Sequence, residues 1–267
     1  MDFKKGFTLA EVLITLGIIG VVASLTLPPL IQKHQKQVLV NQLKKSVSTW
    51  ENGFKMMMAD AETDDLLNTE FWQKLQELAG GDSNFDYSCE GRLIEGMYDS
   101  NDKILKKYFK ILSFGDLKGG EGTCSMELNE DSLADDKPYA YKPLGSKEYP
   151  GLAFEAPRKV QMADGTTVGL YAHPVPVSLS GFRYENEYRI GQLIIDVNGK
   201  NKGPNQWGRD TFSFWISRKG VLLPNATKEY LMVDPSLCGN IETGDISDAM
   251  GLGCERRIID DGWKMNY

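Results

Sequence analysis

Histidine and closely paired cysteine are scarce in this sequence, and their scarcity argues against several classes of enzyme and metal protein. The 267 residues include two histidines, and no HExxH or GxSxG motif occurs, so the signatures of zinc peptidases and serine hydrolases are missing. The four cysteines form no CxxC pair, which argues against a zinc ribbon or a thioredoxin-like site. We therefore predict that the protein is not an enzyme and has no catalytic residue.

A net positive charge is also lacking. The chain has 37 acidic and 30 basic residues and a formal net charge of −7. Phosphate recognition depends on clustered lysine and arginine. General nucleic-acid binding is therefore not expected.

One long apolar run is present near the N-terminus. From Val12 to Gln32 there is no charge, and these 21 residues are enough to cross a bilayer as a helix. Lys4 and Lys5 precede the run, which predicts a cytoplasmic N-terminus and an extracytoplasmic C-terminal part. The residues after the run do not resemble the cleavage site of a secretory signal peptide.

Glu11 is a carboxylate at the edge of this apolar run. A carboxylate in or near hydrocarbon is costly and usually needs a partner. On the residues alone two interpretations stay open: Glu11 lies at the level of the lipid headgroups without a special role, or it pairs with a positive charge.

The segment GFTLAEV (6–12), followed by LITLGIIGVVASLTLP, resembles the prepilin N-terminus of type IV pilins and type II secretion pseudopilins. The shared elements are a basic leader that ends in glycine, a phenylalanine, a glutamate as the fifth mature residue, and an apolar helix. The resemblance covers residues 1–35. It implies a structural subunit (pilin, minor pilin or pseudopilin) of a type IV pilus or a type II secretion-like filament.

The resemblance also implies a processing pathway. A prepilin peptidase cuts between Gly6 and Phe7 and methylates the new amino group of Phe7, and Glu11 pairs with that amine in a neighbouring subunit. A matched buried pair of charges costs less than an unpaired one. The implied partners are homologous subunits, the peptidase, an inner-membrane assembly platform and the membrane itself. The protein is expected as a single-pass inner-membrane protein and then in a periplasmic or extracellular filament.

Two alternative functions remain. One is a minor pilin at the filament tip that binds a surface, DNA or a secreted substrate. The other, which is less favoured, is an extracytoplasmic enzyme for which the N-terminus is only a signal anchor.

The sequence predicts four consecutive parts. They are the leader (1–6), the transmembrane and polymerisation helix (7–32), its amphipathic continuation (33–60) and an extracytoplasmic globular domain (61–267). Pro28 and Pro29 predict a kink, because a proline inside a helix removes a hydrogen bond. Alternatively, one helix ends at Leu27 and a second begins at Pro29.

Helical and strand patterns follow one another along the rest of the chain. An apolar stripe at steps of three and four predicts a helix to about Ala59 that packs on the globular domain; its members are Leu39, Leu43, Val47, Trp50, Phe54 and Met57. Two further helices are predicted at 70–79 and 103–112, and a loop at 115–150. Strands are predicted at 159–163, 166–172, 189–197, 211–217 and 220–224. The order predicts an α+β, pilin-like fold in which the long helix packs on an antiparallel sheet.

If the globular domain is extracytoplasmic, its four cysteines are expected to form two disulfides. The alternative is that all four are reduced, buried thiols. Pairing by proximity in sequence gives Cys89–Cys124 and Cys238–Cys254, although four cysteines allow three connectivities. The second bridge would close a C-terminal loop, as bridges often do in the family that the N-terminus resembles.

An Asx- and glycine-rich loop contains candidate metal ligands. Asp196, Asn198 and Asp210 carry side-chain oxygens of the kind that bind calcium, and the segment resembles C-terminal loops of pilin-like proteins, some of which bind calcium. The spacing does not match an EF-hand, because Lys200 occupies a ligand position. The preferred interpretation is a loop whose Asp and Asn side chains bond their own backbone. We therefore expect no cofactor, with calcium as the alternative.

Overall fold

The computed structural model describes residues 8–78, 102–114, 140–145, 152–153, 158–178, 188–199 and 201–267. Contacts divide the chain into two compact units, one that ends at Val38 and one that begins at Leu39.

A single helix, α1, runs from Leu9 to Asp60 and crosses the boundary between the two units. Pro28 and Pro29 lie inside it, so the alternative of two helices separated after Leu27 is wrong. The kink at the two prolines stays a prediction. The helix ends one residue beyond the position that the apolar stripe predicts.

The other elements are short. The helices are a 3-10 turn at Leu66–Asn68, α2 at Glu70–Leu78, α3 at residues 102–108, α4 at Lys228–Val233, α5 at Pro235–Cys238 and α6 at Cys254–Asp260. The strands are β1 at Ile111–Phe114, β2 at Ala140–Tyr141, β3 at Leu152–Ala153, β4 at Arg158–Met162, β5 at Thr167–Ser178, β6 at Tyr188–Asp196, β7 at Thr211–Ser217 and β8 at Leu222–Pro224.

Six strands form an antiparallel sheet in the order β1-β4-β5-β6-β7-β8, and β2 pairs with β3 in a separate ribbon. The predicted hairpin around Asp164 and Gly165 is present as β4 and β5. Gly165 has a φ of +92°, which an L side chain rarely adopts. Asp164 accepts hydrogen bonds from the main-chain N–H and the hydroxyl of Thr166, so this turn is stabilised by its own side chains.

The main core lies between the second half of α1 and one face of the six-stranded sheet. All six members of the predicted apolar stripe are buried, and they share a cluster with strand residues such as Leu170, Leu193 and Phe214. The approach of Phe109 to α1 depends on Gly53, because a Cβ built there would lie 2.1 Å from the Phe109 ring. The α+β, pilin-like fold predicted from the sequence is therefore confirmed.

The prediction of a helix over 103–112 is wrong at its C-terminal end. The helix ends at residue 108, and Ile111 and Leu112 belong to β1. Ile111 pairs with Met162, and the main-chain N–H of Ala163 donates to the carbonyl of Lys110. Pairing with β4 therefore overrides the helical spacing of the apolar residues.

Two other predictions lie mostly or partly outside the described residues. Residues 140–141 of the predicted loop form a strand, and most of the remaining loop lies outside the described residues. Cys89 and Cys124 also lie outside the described residues. The second predicted disulfide, Cys238–Cys254, is present.

Candidate functional site

The N-terminal part of α1 presents an apolar surface with no packing partner among the described residues. Its large apolar side chains, from Leu9 to Ile31, are between 39% and 78% exposed. By length and composition this is the one described helix that could cross a membrane, with a mean hydropathy of 2.1 in its most apolar window. A side-chain surface of this kind is favourable in lipid or against similar helices and unfavourable in water.

The helix begins with a reciprocal hydrogen-bonded turn between Thr8 and Glu11. The main-chain N–H and the hydroxyl of Thr8 donate to Oε2 of Glu11 at 2.8 and 2.9 Å, and the N–H of Glu11 donates to Oγ1 of Thr8 at 3.3 Å. These reciprocal hydrogen bonds between the N-cap residue Thr8 and Glu11, three positions later, form a capping box. Glu11 is therefore oriented by its own chain.

The remaining hydroxyl groups of the apolar segment are satisfied within the helix. Thr15 donates to the carbonyls of Glu11 and Val12, Ser24 donates to that of Val21, and Thr26 donates to that of Val22. Internal bonding of this kind removes the need for water. Glu11 is the only charged side chain from Thr8 to Gln32.

Residues 1–27 match the family model of the prokaryotic N-terminal methylation motif. The N-terminus is a prepilin-type segment. This motif is the signature of type IV pilins and pseudopilins, and it implies processing by a prepilin peptidase and assembly with other pilin subunits. Together with the apolar helix, the motif indicates membrane anchoring. Gly6 and Phe7 lie outside the described residues, so the predicted cleavage and methylation positions stay predictions.

No curated protein and no solved structure matches the chain.

The candidate calcium loop brings its two carboxylates to the same end of neighbouring strands. Asp196 ends β6, Asp210 precedes β7, and the N–H of Val197 donates to the carbonyl of Asp210 at 2.9 Å. Both carboxyl groups are fully buried. Their oxygens accept main-chain hydrogen bonds: Asp196 from Asn198 and Gly199, and Asp210 from Asn205 and Gln206.

The carboxylates of Asp196 and Asp210 therefore accept hydrogen bonds from the main chain of their own loop, which we call a self-bonded loop. Burial raises the pKa of Asp210, while hydrogen bonds from the main chain of Gln206 and Asn205 oppose that shift. The Nδ2 of Asn198 donates to the carbonyl of Gly203, and its Oδ1 is buried with no hydrogen-bond partner among the described residues. Asn198 Oδ1 and the two carboxylates are the atoms that could bind a cation, although the described residues contain no group of three acidic, cysteine or histidine ligands.

A buried carboxyl group in the C-terminal lobe (residues 225–267) was not predicted from the sequence. Glu255, in the first turn of α6, is fully buried, and its Oε1 accepts the N–H of Asn225 at 2.8 Å. Within the part of the chain that the structure describes, its Oε2 has no hydrogen-bond partner. Burial raises the pKa of Glu255 to about 8, so the carboxyl group is mostly protonated at neutral pH.

Sequence reasoning identified Glu11 but missed the part that Thr8 plays. The signal was available, because threonine followed three residues later by glutamate before an apolar run is the pattern of a capping box. No comparable signal marks Glu255, because glutamate at the start of a helix is common on the surface.

Proposed function

We propose that this protein is a structural subunit of a type IV pilus or a type II secretion-like filament, stored in the membrane and polymerised through the N-terminal part of α1. The observation that supports the proposal most strongly is the combination of the prepilin-type motif with an apolar, exposed helix that has a single carboxylate at its start. The proposed role is structural and not enzymatic.

The steps of the proposed function follow from the chemistry of the segment. Cleavage between Gly6 and Phe7 creates an ammonium group next to hydrocarbon, where an unpaired charge is expensive. Glu11 of one subunit neutralises the amine of another and fixes the register between them. On assembly, the apolar side chains from Leu9 to Ile31 leave the lipid and pack against the helices of neighbouring subunits. In both states these side chains are shielded from water, so the unfavourable free energy of exposing them to water is avoided.

The proposal places the globular domain outside the cytoplasm. Lys4 and Lys5 favour this orientation through the positive-inside rule. A disulfide between Cys238 and Cys254 also suits an oxidising compartment. The proposed partners are homologous subunits and an inner-membrane assembly platform.

The experiment that tests the proposal compares membrane and filament fractions of cells that express an assembly system. Wild-type protein is expected in both the membrane and the sheared filament fraction, whereas Gly6→Val is expected only in the membrane, at full length. A Lys55→Gln variant is the control, because Lys55 is exposed on α1 outside the apolar segment. Filament incorporation of the uncleaved Gly6→Val protein would contradict the proposal and favour a plain signal anchor.

A further inference from the structure

The short amphipathic helix α3 presents a row of exposed lysines. Residues 102–110 read DKILKKYFK, and the apolar side chains of Ile104, Leu105 and Phe109 are buried in the main core. The lysines of this stretch are all exposed, and we call them the lysine face: Lys103, Lys106, Lys107 and Lys110. Residues three and four apart share one face of a helix, so the first three lysines are presented together.

Contacts within the chain leave part of this positive charge uncompensated. Lys107 forms an ion pair with Asp60 at 2.6 Å. The ammonium group of Lys106 lies 5.2 Å from the centre of the Phe114 ring, a contact that does not neutralise its charge. The side chains of the other two lysines form no ion pair among the described residues. Four lysines against the two acids of this region, Asp60 and Asp102, leave a net charge of +2.

The C-terminal lobe contains a stretch of the opposite charge. From Glu229 to Glu255 the sequence has six acidic residues and no lysine or arginine, and we call residues 229–255 the acidic segment. Four of its carboxylates are exposed and form no ion pair among the described residues: Glu229, Glu242, Asp245 and Asp248. The lysine face and the acidic segment are therefore complementary in charge.

The two surfaces belong to opposite sides of the six-stranded sheet. The chain leads from α3 directly into the edge strand β1, whereas α6 packs the C-terminal lobe against β7. Four steps of about 4.8 Å between neighbouring strands separate β1 from β7, which amounts to about 19 Å. A lysine of one surface is therefore too far from the carboxylates of the other to pair with them in the same chain.

From this complementarity we infer that the lysine face of one subunit binds the acidic segment of a second copy of this chain. The inference rests on the proposed function and deepens it, because it adds a contact between globular domains to the packing of the α1 helices. A contact between two different surfaces of identical subunits is heterologous, and it builds an open helical polymer when its rotation does not close a ring. Each subunit then contacts one neighbour through each surface, as a filament requires.

Exposed apolar side chains lie beside both surfaces. Met56 is 54% exposed and lies one helical turn before Asp60, the residue that pairs with Lys107. Within the acidic segment, Met232 and Val233 are 60% and 72% exposed. Exposed ion pairs alone contribute little to affinity, so apolar area that is buried in the same contact supplies the stabilisation while the charges select the partner.

The overall charge favours a second copy over a nucleic acid as the partner. The chain has a net charge of −7, so phosphates that approached the lysine face would also be repelled by the rest of an acidic protein. A second copy offers clustered carboxylates instead, on a segment without lysine or arginine.

The test measures the sheared filament fraction of cells that express an assembly system and full-length variants. K103E/K110E and E242K/D248K each place like charges across the proposed contact, so each alone is expected to enter filaments about tenfold less than wild type. Co-expression of the two variants is expected to restore assembly, because the glutamates of one meet the lysines of the other and their unaltered surfaces stay complementary. K202E/K264E is the matched control, since it makes the same charge change at exposed positions outside both surfaces and is expected to assemble like wild type.

A milder variant keeps the test independent of folding defects. K103Q/K110Q removes the two charges without reversing them and is expected to lower incorporation about threefold, with an unchanged amount of protein in the membrane fraction.

Three results would overturn the inference. They are wild-type assembly of K103E/K110E or K103Q/K110Q, a defect of the reversed variants that co-expression does not restore, and retention of duplex DNA by detergent-solubilised wild type that is lost in K103Q/K110Q. The last result would assign the lysine face to nucleic acid. Failure of the proposed function looks different, because the wild-type protein itself would then be missing from the filament fraction.

Discussion

The main-chain N–H and the hydroxyl of Thr8 donate to the same carboxylate oxygen, Oε2 of Glu11, at 2.8 and 2.9 Å. Glu11 is thus held in a defined position at the start of the helix through which we propose the subunit polymerises. Preorganisation of a charged group lowers the entropy lost when it meets its partner. Thr8 is therefore a positioning residue for Glu11.

This relationship predicts a graded effect on filament assembly. Glu11→Ala is expected to abolish incorporation into filaments, because the buried amine of a neighbour is left unpaired. Thr8→Val keeps the bond from the main-chain N–H of Thr8 to the Glu11 carboxylate and loses both bonds of the Thr8 hydroxyl, so incorporation is expected to fall severalfold without being lost. Quantification of the sheared filament fraction measures both effects.

The control for Thr8→Val is Thr15→Val. The Thr15 hydroxyl donates to helix carbonyls and not to the Glu11 carboxylate, so this variant is expected to assemble like wild type. Equal assembly of Thr8→Val and wild type would contradict the positioning role of Thr8.

Glu255 predicts a pH dependence of stability with a definite sign. Its folded-state pKa of about 8 lies above the ordinary value of 4.5, so the folded state binds the proton more tightly than the unfolded state. The free energy of unfolding is therefore expected to fall as the pH rises from about 4.5 to 8. At about 1.4 kcal/mol per pKa unit, the total is at most about 5 kcal/mol.

Glu255→Gln should flatten this dependence, because the amide stays neutral throughout the interval. Denaturant unfolding at several pH values measures the slope. The exposed Glu242→Gln variant is expected to keep the wild-type slope. A slope in Glu255→Gln equal to that of wild type would show that Glu255 does not titrate with a raised pKa.

The disulfide between Cys238 and Cys254 predicts a stability loss on removal. It joins residues 16 apart in sequence and links α5 to α6, and a bridge that closes a loop of this size contributes about 3 kcal/mol in the chain-entropy description. C238S/C254S is expected to unfold at a correspondingly lower denaturant concentration than wild type, both measured without reductant. Identical midpoints would contradict a structural role for the bridge.

The loop from Asp196 to Asp210 predicts indifference to calcium. Its two carboxylates accept main-chain hydrogen bonds, and a self-bonded loop needs no cation. The melting midpoint of the full-length protein is therefore expected to stay the same with millimolar calcium or with a chelator. A higher midpoint with calcium that is lost in Asp210→Asn would contradict this interpretation, because a ligand of the folded state alone must stabilise it.

The long helix and the sheet could be predicted because their signals are local. The stripe from Leu39 to Met57 repeats with the helical period, and β7 is bounded by turn residues on both sides. The strand at Ile111 was mistaken for helix, because the partner that decides it, Met162, is 51 residues away. The short helices α4 to α6 have too few residues for a periodic pattern, and their positions depend on packing around the disulfide.

The candidate site also divides into features with local sequence signals and features that depend on contacts between residues far apart in the chain. Glu11 and its processing signals lie within a dozen residues and are readable from sequence. The hydrogen bonds that satisfy Asp210, and the burial of Glu255 beside Asn225, depend on contacts that the sequence order does not reveal.

The measurement that tests the central claim most directly is the mass of the N-terminal peptide after co-expression with a prepilin peptidase. The account predicts a chain that begins at Phe7 and carries one additional methyl group on its amino nitrogen. A chain that keeps residues 1–6 under these conditions, while a known prepilin in the same cells is cut, would contradict it.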